Sequence, residues 1–225
     1  MSISRFRLLG LCCLSATSVL AADPAPLPLN RAPTASTGTL PPDTTILSQK
    51  AAAAFGKKDW DAARAAYQEM LKIDSTNALV WANLGAVEQQ AGQVKEAVAA
   101  FEKSVLHNPE LVQSWIALGL LHSATGDTYR AISMFARAIH EDPGDARAHG
   151  YLAIAAKTLG WADAAEAELQ RAVKLDPNDG IAHFNLALMY LDQKPPAIEL
   201  ARLHYRKALT LGVAKDELVE RRLAE

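Results

Sequence analysis

Hydrophobic and small residues recur along the chain with a period of 34 residues from position 44 onward. The stretch 81–92, WANLGAVEQQAG, is followed one period later by 115–126, WIALGLLHSATG. In each stretch Trp and Leu stand three residues apart, which places both side chains on one face of a helix. A period of this length is the signature of an array of helical hairpins. We therefore predict that 44–215 is such an array.

The recurring positions form a signature. They are Trp81, Leu84, Gly85, Ala97, Phe101 and Pro109, then Trp115, Leu118, Gly119, Ala131, Phe135 and Pro143, with Pro177 one period later. This pattern resembles the tetratricopeptide repeat (TPR) family, whose motif is W-x2-L-G-x2-Y…A-x3-F…P. The resemblance implies an all-α fold, a right-handed superhelical solenoid of about five helix-turn-helix hairpins. The units are expected at 44–77, 78–111, 112–145, 146–179 and 180–215, followed by a C-terminal capping helix over 216–225.

Several of these residue types have a direct physical reason. Gly85 and Gly119 have no side chain, so the partner helix can approach closely. Further glycines follow the first helix of a hairpin, where a left-handed residue ends a helix readily; they are Gly92, Gly126 and Gly160. Polar residues stand where the next helix needs an N-cap; they are Asn77, Asp145 and Asp179.

Two units replace the signature Trp by histidine, at His149 and His183. None of the six histidines is paired with another at i, i+4 on one helix, the spacing that suits a metal. We interpret the histidines as structural, with a zinc or catalytic role as the alternative. In the last unit two residues are added around Pro195-Pro196.

The N-terminal segment has the pattern of a secretory signal peptide over 1–22. Arg5 and Arg7 precede an uncharged run, 8–22, that ends in small residues. The run is short for a membrane span, which needs about 20 apolar residues; an uncleaved anchor is the alternative, and only then would the protein be held at a membrane. A lipoprotein is disfavoured because neither Cys12 nor Cys13 follows a small residue. We expect an exported, periplasmic or secreted protein of a bacterial-type envelope.

Residues 23–43 contain six of the eleven prolines. Proline removes backbone donors and fixes φ, so we expect an extended, disordered linker there. A proline-rich ligand for some partner is the alternative interpretation.

Composition and motifs exclude several function classes. The net charge of −2 gives no sign of a nucleic-acid surface. The sequence holds no HExxH, Walker, GxSxG or GxGxxG motif. We therefore expect no enzyme activity, no cofactor and no metal site.

The resemblance implies a concave surface lined by the first helix of each hairpin, where a peptide or protein binds. Mapped onto this chain, the groove residues are Ala82, Ala86, Gln89, Ile116, Leu120, Arg147, Ile154, Lys157, Phe184 and Leu188. The sequence departs from a carboxylate clamp, because Ala82, Ile116 and Phe184 stand where polar or basic members belong. We expect apolar anchors in the ligand and one acidic group facing Arg147 and Lys157; the alternative is that these side chains are internal to a tightly wound superhelix.

The function predicted is a non-catalytic protein–protein interaction scaffold of the cell envelope. Two alternatives come from other classes. One is an accessory subunit of an envelope enzyme or secretion complex. The other is a protein that self-associates through the groove or the proline-rich segment.

Overall fold

The computed structural model describes residues 44–224, and within them it contains eleven helices and no strand. The helices are α1 Thr44–Gly56, α2 Trp60–Ile73, α3 Ala78–Gln90, α4 Val94–His107, α5 Val112–Ala124, α6 Thr128–Glu141, α7 Ala146–Thr158, α8 Ala162–Leu175, α9 Gly180–Asp192, α10 Ile198–Thr210 and α11 Glu217–Ala224. The signal peptide and the linker assigned to 1–22 and 23–43 lie outside the described residues.

Consecutive helices pair into five hairpins that stack in sequence order. Each odd-numbered helix from α1 to α9 packs against the helix that follows it, and the second helix of each hairpin packs against the first helix of the next. Two first helices also meet across hairpins, because α5 contacts α7. The predicted all-α repeat solenoid is confirmed.

The recurring residues form the core between hairpins. The alanines that start the returning helices, Ala97, Ala131 and Ala165, are fully buried. Leu84, Leu118 and Leu186 are buried as well, whereas Leu152 is half-buried. Large side chains fill the remaining space in each hairpin, namely Tyr67, Phe101, Phe135, Leu169 and Tyr205.

Close helix approach explains the two helical glycines of the signature. A Cβ built on Gly85 would lie 2.9 Å from the Phe101 ring, and one on Gly119 would lie 2.4 Å from the Phe135 ring. Both distances are shorter than carbon–carbon contact, about 3.5–4.0 Å. The rings of Phe101 and Phe135 therefore occupy the space that a side chain would need.

The turns inside the hairpins use a left-handed residue. Gly92, Gly126 and Gly160 have φ of 75°, 82° and 78°. In the first hairpin Lys58 takes this place with φ of 59°, which costs an L-residue free energy that glycine avoids. The predicted N-caps are also present: the side chains of Asn77, Asp145 and Asp179 accept hydrogen bonds from the first turns of α3, α7 and α9.

Helix α11 closes the C-terminal end of the stack. It begins after Asp216, whose side chain accepts hydrogen bonds from the backbone N–H groups of Leu218 and Val219. The Tyr205 hydroxyl on α10 accepts a hydrogen bond from the Asp216 N–H at 2.8 Å. Val219 is buried against the stack, whereas Leu218 is exposed.

Candidate protein-interaction surface

The predicted groove residues divide into a buried group and an accessible group. Ala82 and Ala86 belong to a core cluster with Phe101, and Ile116 belongs to another with Phe135. All three are at most 7% exposed. Almost none of the surface of these three side chains is exposed to solvent in this structure. They fill the interfaces between hairpins.

The accessible group lies mainly on α7 and α9. Ile154, Phe184 and Leu188 are half-buried, as are Gln89 and Leu120 on earlier helices, and Arg147 and Lys157 are exposed. Ile181 is also exposed, and sequence reasoning missed it. Its spacing from Phe184 and Leu188 is i, i+3 and i+7, so all three share one face of α9. We call Ile154, Ile181, Phe184 and Leu188 the α7–α9 surface.

A glycine opens a gap beside this surface. Gly150 lies one turn before Ile154 on α7, at the place that Ile116 and Phe184 occupy in α5 and α9. No atom outside the neighbouring backbone lies within 4 Å of where its Cβ would stand. Close packing therefore does not require a glycine here, unlike at Gly85 and Gly119.

Arg147 is neutralised by the residue that caps its own helix. Its Nη2 donates to Asp145 Oδ2 at 2.7 Å, and its Nε donates to Asp145 Oδ1 at 3.2 Å. The hydrogen bond to Asp145 raises the pKa of Arg147 above its ordinary value. Burial alone would raise the pKa of Asp145, but the hydrogen bonds from Arg147 and from the backbone lower it below its usual range. Asp145 is thus a paired carboxylate at the N-terminus of α7.

Lys157 forms an ion pair across hairpins. Its Nζ lies 3.0 Å from Asp192 Oδ2 at the end of α9. Arg222 on α11 donates to the other oxygen of Asp192 at 3.0 Å and to the carbonyl oxygen of Leu191 at 2.6 Å. Burial opposes ionisation of Asp192, but Lys157 and Arg222 lower its pKa below the usual range. The two cations expected to meet an acidic ligand group are therefore already partnered within the chain.

The two histidines at the Trp place take over the hydrogen bond of the Trp ring. The Trp81 indole N–H donates to the carbonyl oxygen of Ser75 at 2.8 Å, and the Trp115 indole N–H donates to that of Pro109 at 2.7 Å. His149 Nε2 lies 3.2 Å from the carbonyl oxygen of Pro143. His183 Nε2 likewise lies 3.3 Å from the carbonyl oxygen of Pro177. The imidazole reaches the same backbone acceptor, six residues earlier, in both units.

The second nitrogen of each ring meets a polar residue on the returning helix. His149 Nδ1 lies 2.6 Å from Glu168 Oε2, and His183 Nδ1 lies 2.8 Å from His204 Nδ1. The His183–His204 pair was not foreseen, because its members are on different helices. Burial, and then the charge of His183, lower the pKa of His204 below the ordinary 6.5. Within 44–224 no group of three or more His, Cys, Asp or Glu side chains is arranged to hold a metal.

A bidentate ion pair joins the first two hairpins. Arg64 on α2 donates from Nε and Nη2 to the two carboxylate oxygens of Glu88 on α3, each at 2.7 Å. Glu88 is buried, and it stands where the repeat motif has Tyr. The hydrogen bond to Glu88 raises the pKa of Arg64.

Among the helices of 44–224, none is both long enough and apolar enough to span a bilayer.

Comparisons with known proteins agree with this architecture. A family model described as "Tetratricopeptide repeat" matches residues 54–118 and 123–190. No curated protein has a sequence that matches the chain significantly. MamA 41-end from Desulfovibrio magneticus RS-1 is 18% identical, with a TM-score of 0.66, and the match covers 76% of this chain and 96% of that one.

Two other solved structures share the fold at similar identity. YrrB, described as "a TPR protein with an unusual peptide-binding site", is 21% identical with a TM-score of 0.62, covering 81% of this chain and 92% of that one. The pilF protein of Pseudomonas aeruginosa is 17% identical with a TM-score of 0.72, covering 80% of this chain and 82% of that one. At such identities the likeness concerns the fold alone, whereas the family model spans more than half of the chain; the protein therefore belongs to the tetratricopeptide repeat family.

Proposed function

We propose that the protein is a non-catalytic scaffold that binds an apolar segment of a peptide or protein on the α7–α9 surface. The carrying observation is the row of Ile181, Phe184 and Leu188 along α9, which is left partly open to solvent, with Ile154 half-buried on α7 at the place that Leu188 takes one repeat later. Exposed apolar surface that is bordered by polar groups marks interaction sites.

The cations at the border already have partners within the chain, in the Arg147–Asp145 pair and the Lys157–Asp192–Arg222 cluster. Exposed ion pairs contribute little free energy, whereas an apolar side chain gains free energy by displacing water from apolar surface. We therefore expect apolar anchors to contribute most of the binding free energy, and the acidic ligand group facing Arg147 and Lys157 stays a prediction. YrrB, with its peptide-binding site, is a precedent for ligand binding by this fold.

Selection of peptides from a random twelve-residue phage library tests this proposal. Peptides enriched on the wild type are synthesised, and their affinity is measured by fluorescence anisotropy for the wild type, Leu188→Asp and Leu203→Asp. Leu203 is 61% exposed on α10, in the layer of returning helices, so it is a matched control for the charge. Losing a buried leucine contact costs about 1.5–3 kcal/mol, so Leu188→Asp should weaken binding about 10- to 100-fold.

Equal binding to all three proteins, or no enrichment at all, would contradict the proposal. Circular dichroism of each variant checks that the helices remain intact. A peptide that is lost with Leu203→Asp but kept with Leu188→Asp would place the site on the returning helices instead.

The N-terminal sequence pattern supports a proposal about the cellular compartment in which the protein acts. We propose that 1–22 is removed on export and that the scaffold works in the cell envelope. Intact mass of the protein purified from the envelope fraction tests this: cleavage after Ala22 is the expected result. An unprocessed mass in the cytoplasmic fraction would refute it.

A further inference from the structure

A row of exposed apolar side chains lies away from the α7–α9 surface, at the starts of three consecutive returning helices. Val94 is the first residue of α4, Tyr129 is the second residue of α6, and Trp161 is the N-cap of α8. They are 40%, 67% and 47% exposed. We call these three residues the aromatic edge.

The two aromatic rings form an open pair. The ring centroids of Tyr129 and Trp161 are 6.3 Å apart with an interplanar angle of 66°, an edge-to-face arrangement. Flat rings held at an angle, with solvent above them, are the surface on which proline-rich segments dock in their extended helical form.

Trp161 occupies this place at a cost to its own helix. In α2 and α6 the equivalent N-cap residues are Asp59 and Asp127, and each side chain accepts a hydrogen bond from the first turn. Helix α8 has no side-chain cap, because Trp161 cannot accept one. The returning helices α4 and α10 also lack a side-chain cap, so the feature that distinguishes α8 is the exposed aromatic ring at its N-cap.

The chain carries a segment with matching chemistry. Residues 24–29 read PAPLPL, within the proline-rich stretch that ends where α1 begins at Thr44. We propose that residues 24–29 dock on the aromatic edge of the same molecule, with proline rings against Tyr129 and Trp161.

The length of the intervening chain allows this. Trp161 lies three hairpins from Thr44, about 30 Å at helix spacings of about 8–10 Å. It also lies at the opposite end of the helices, about 20 Å away for a 13-residue helix. The diagonal is about 36 Å, and the 15 residue-to-residue steps from Leu29 to Thr44 would span about 46 Å in a polyproline conformation.

Fluorine NMR of the full chain labelled with 5-fluorotryptophan tests the proposal. The chain has four Trp residues, and the resonance that disappears in Trp161→Phe is assigned to Trp161. The change in its chemical shift between H₂O and D₂O reports its exposure to solvent. The test variant is Pro24→Ser/Pro26→Ser/Pro28→Ser, whose positions precede the helical array that begins at Thr44, and circular dichroism checks that its helices are intact. The matched control is Pro41→Ser/Pro42→Ser, too close to Thr44 to reach the aromatic edge.

The expected result is a small solvent shift for Trp161 in the wild type, which increases in the triple variant and stays small in the control. Adding a synthetic peptide of residues 23–34 to the triple variant should reduce the shift again. An equal shift in wild type and triple variant overturns the proposal. A shift that depends on protein concentration overturns it too, because the segment then binds a second copy. Since the α7–α9 surface is separate, the peptide-library result is independent of this one.

Discussion

Replacing glycine by alanine should raise the free energy of unfolding at Gly150 and lower it at Gly85 and Gly119. Gly85, Gly119 and Gly150 all lie in the interior of a helix and in one of the three central hairpins. In a helix interior, alanine is favoured over glycine by about 0.8–1.0 kcal/mol. This gain is common to all three positions, so the difference between them reports the space around the new methyl group.

At Gly150 the methyl group meets nothing within 4 Å. Gly150→Ala should therefore raise the free energy of unfolding by about 0.5–1 kcal/mol. For a domain of this size, that corresponds to an increase in Tm of about 1–4 °C.

At Gly119 the methyl group would stand 2.4 Å from the Phe135 ring, which is buried and stacked on Tyr151 with centroids 5.6 Å apart. The ring must move by about 1 Å to restore normal contact. Overpacking of this kind costs about 1–3 kcal/mol, which exceeds the propensity gain. Gly119→Ala should lower Tm. Gly85→Ala should fall between the two, because its methyl group is 2.9 Å from Phe101.

Urea unfolding followed by circular dichroism, with thermal melts alongside, measures the three variants. The slope of the urea transition should stay constant, so that midpoints can be compared. The expected order of stability is Gly150→Ala, wild type, Gly85→Ala, Gly119→Ala. If all three substitutions shift the midpoint in the same direction, the inference that Phe101 and Phe135 demand glycine while Gly150 faces open space is wrong.

Two further substitutions test the turn of the first hairpin and the histidine pair. Lys58→Gly should stabilise the protein by up to about 1 kcal/mol. The left-handed conformation costs an L-residue about 1–2 kcal/mol, and the larger chain entropy that glycine loses on folding offsets part of the gain from removing this cost. Lys57→Gly, outside the left-handed region, is the control and should not raise the urea midpoint. Because the pKa of His204 is lowered in the folded state, the unfolded chain binds more protons below pH 6.5, and stability should fall as pH decreases from there. His204→Gln removes this titration and should flatten the dependence of Tm on pH. If the slope of Tm against pH between 7.5 and 5.5 is the same in the variant and the wild type, His204 is not responsible.

The hairpins, their turns and most of their caps could be predicted from the sequence because each depends on a few residues at a fixed spacing. Leu84 and Leu118 pack against the preceding hairpin and are buried there, and Asn77 caps its own helix; both follow from the position within the repeat. The concave surface could be predicted less well. Ala82 and Ile116 are at positions that face the groove by register, yet the neighbouring hairpin covers them. How far one hairpin covers the next depends on side-chain volumes across the interface, which a position within one repeat does not define.

The ion pairs of the groove cations were also not predicted, because a sequence does not show whether a cationic side chain has a carboxylate partner. Arg147 is partnered two residues away and Lys157 is partnered 35 residues away. The first pair could have been foreseen from the N-cap aspartate. The second could not, because it depends on where α9 ends relative to α7.

The hydrogen-bond partners of His149 and His183 could have been predicted by comparing, across the repeats, the Trp or His position with the position that faces it on the returning helix. In the units with Trp81 and Trp115, the residue 19 positions later is Ala100 or Met134, which packs in the same apolar cluster as that Trp. In the unit with His149, the corresponding residue is Glu168, and in the last unit His183 is followed by His204, two residues further along because of the insertion. A ring that keeps the hydrogen bond to the backbone but adds a second polar nitrogen needs a polar partner on the returning helix, because burying that nitrogen unpaired would be costly. The paired change from Trp with an apolar neighbour to His with a polar one therefore explains these residues by packing and hydrogen bonding.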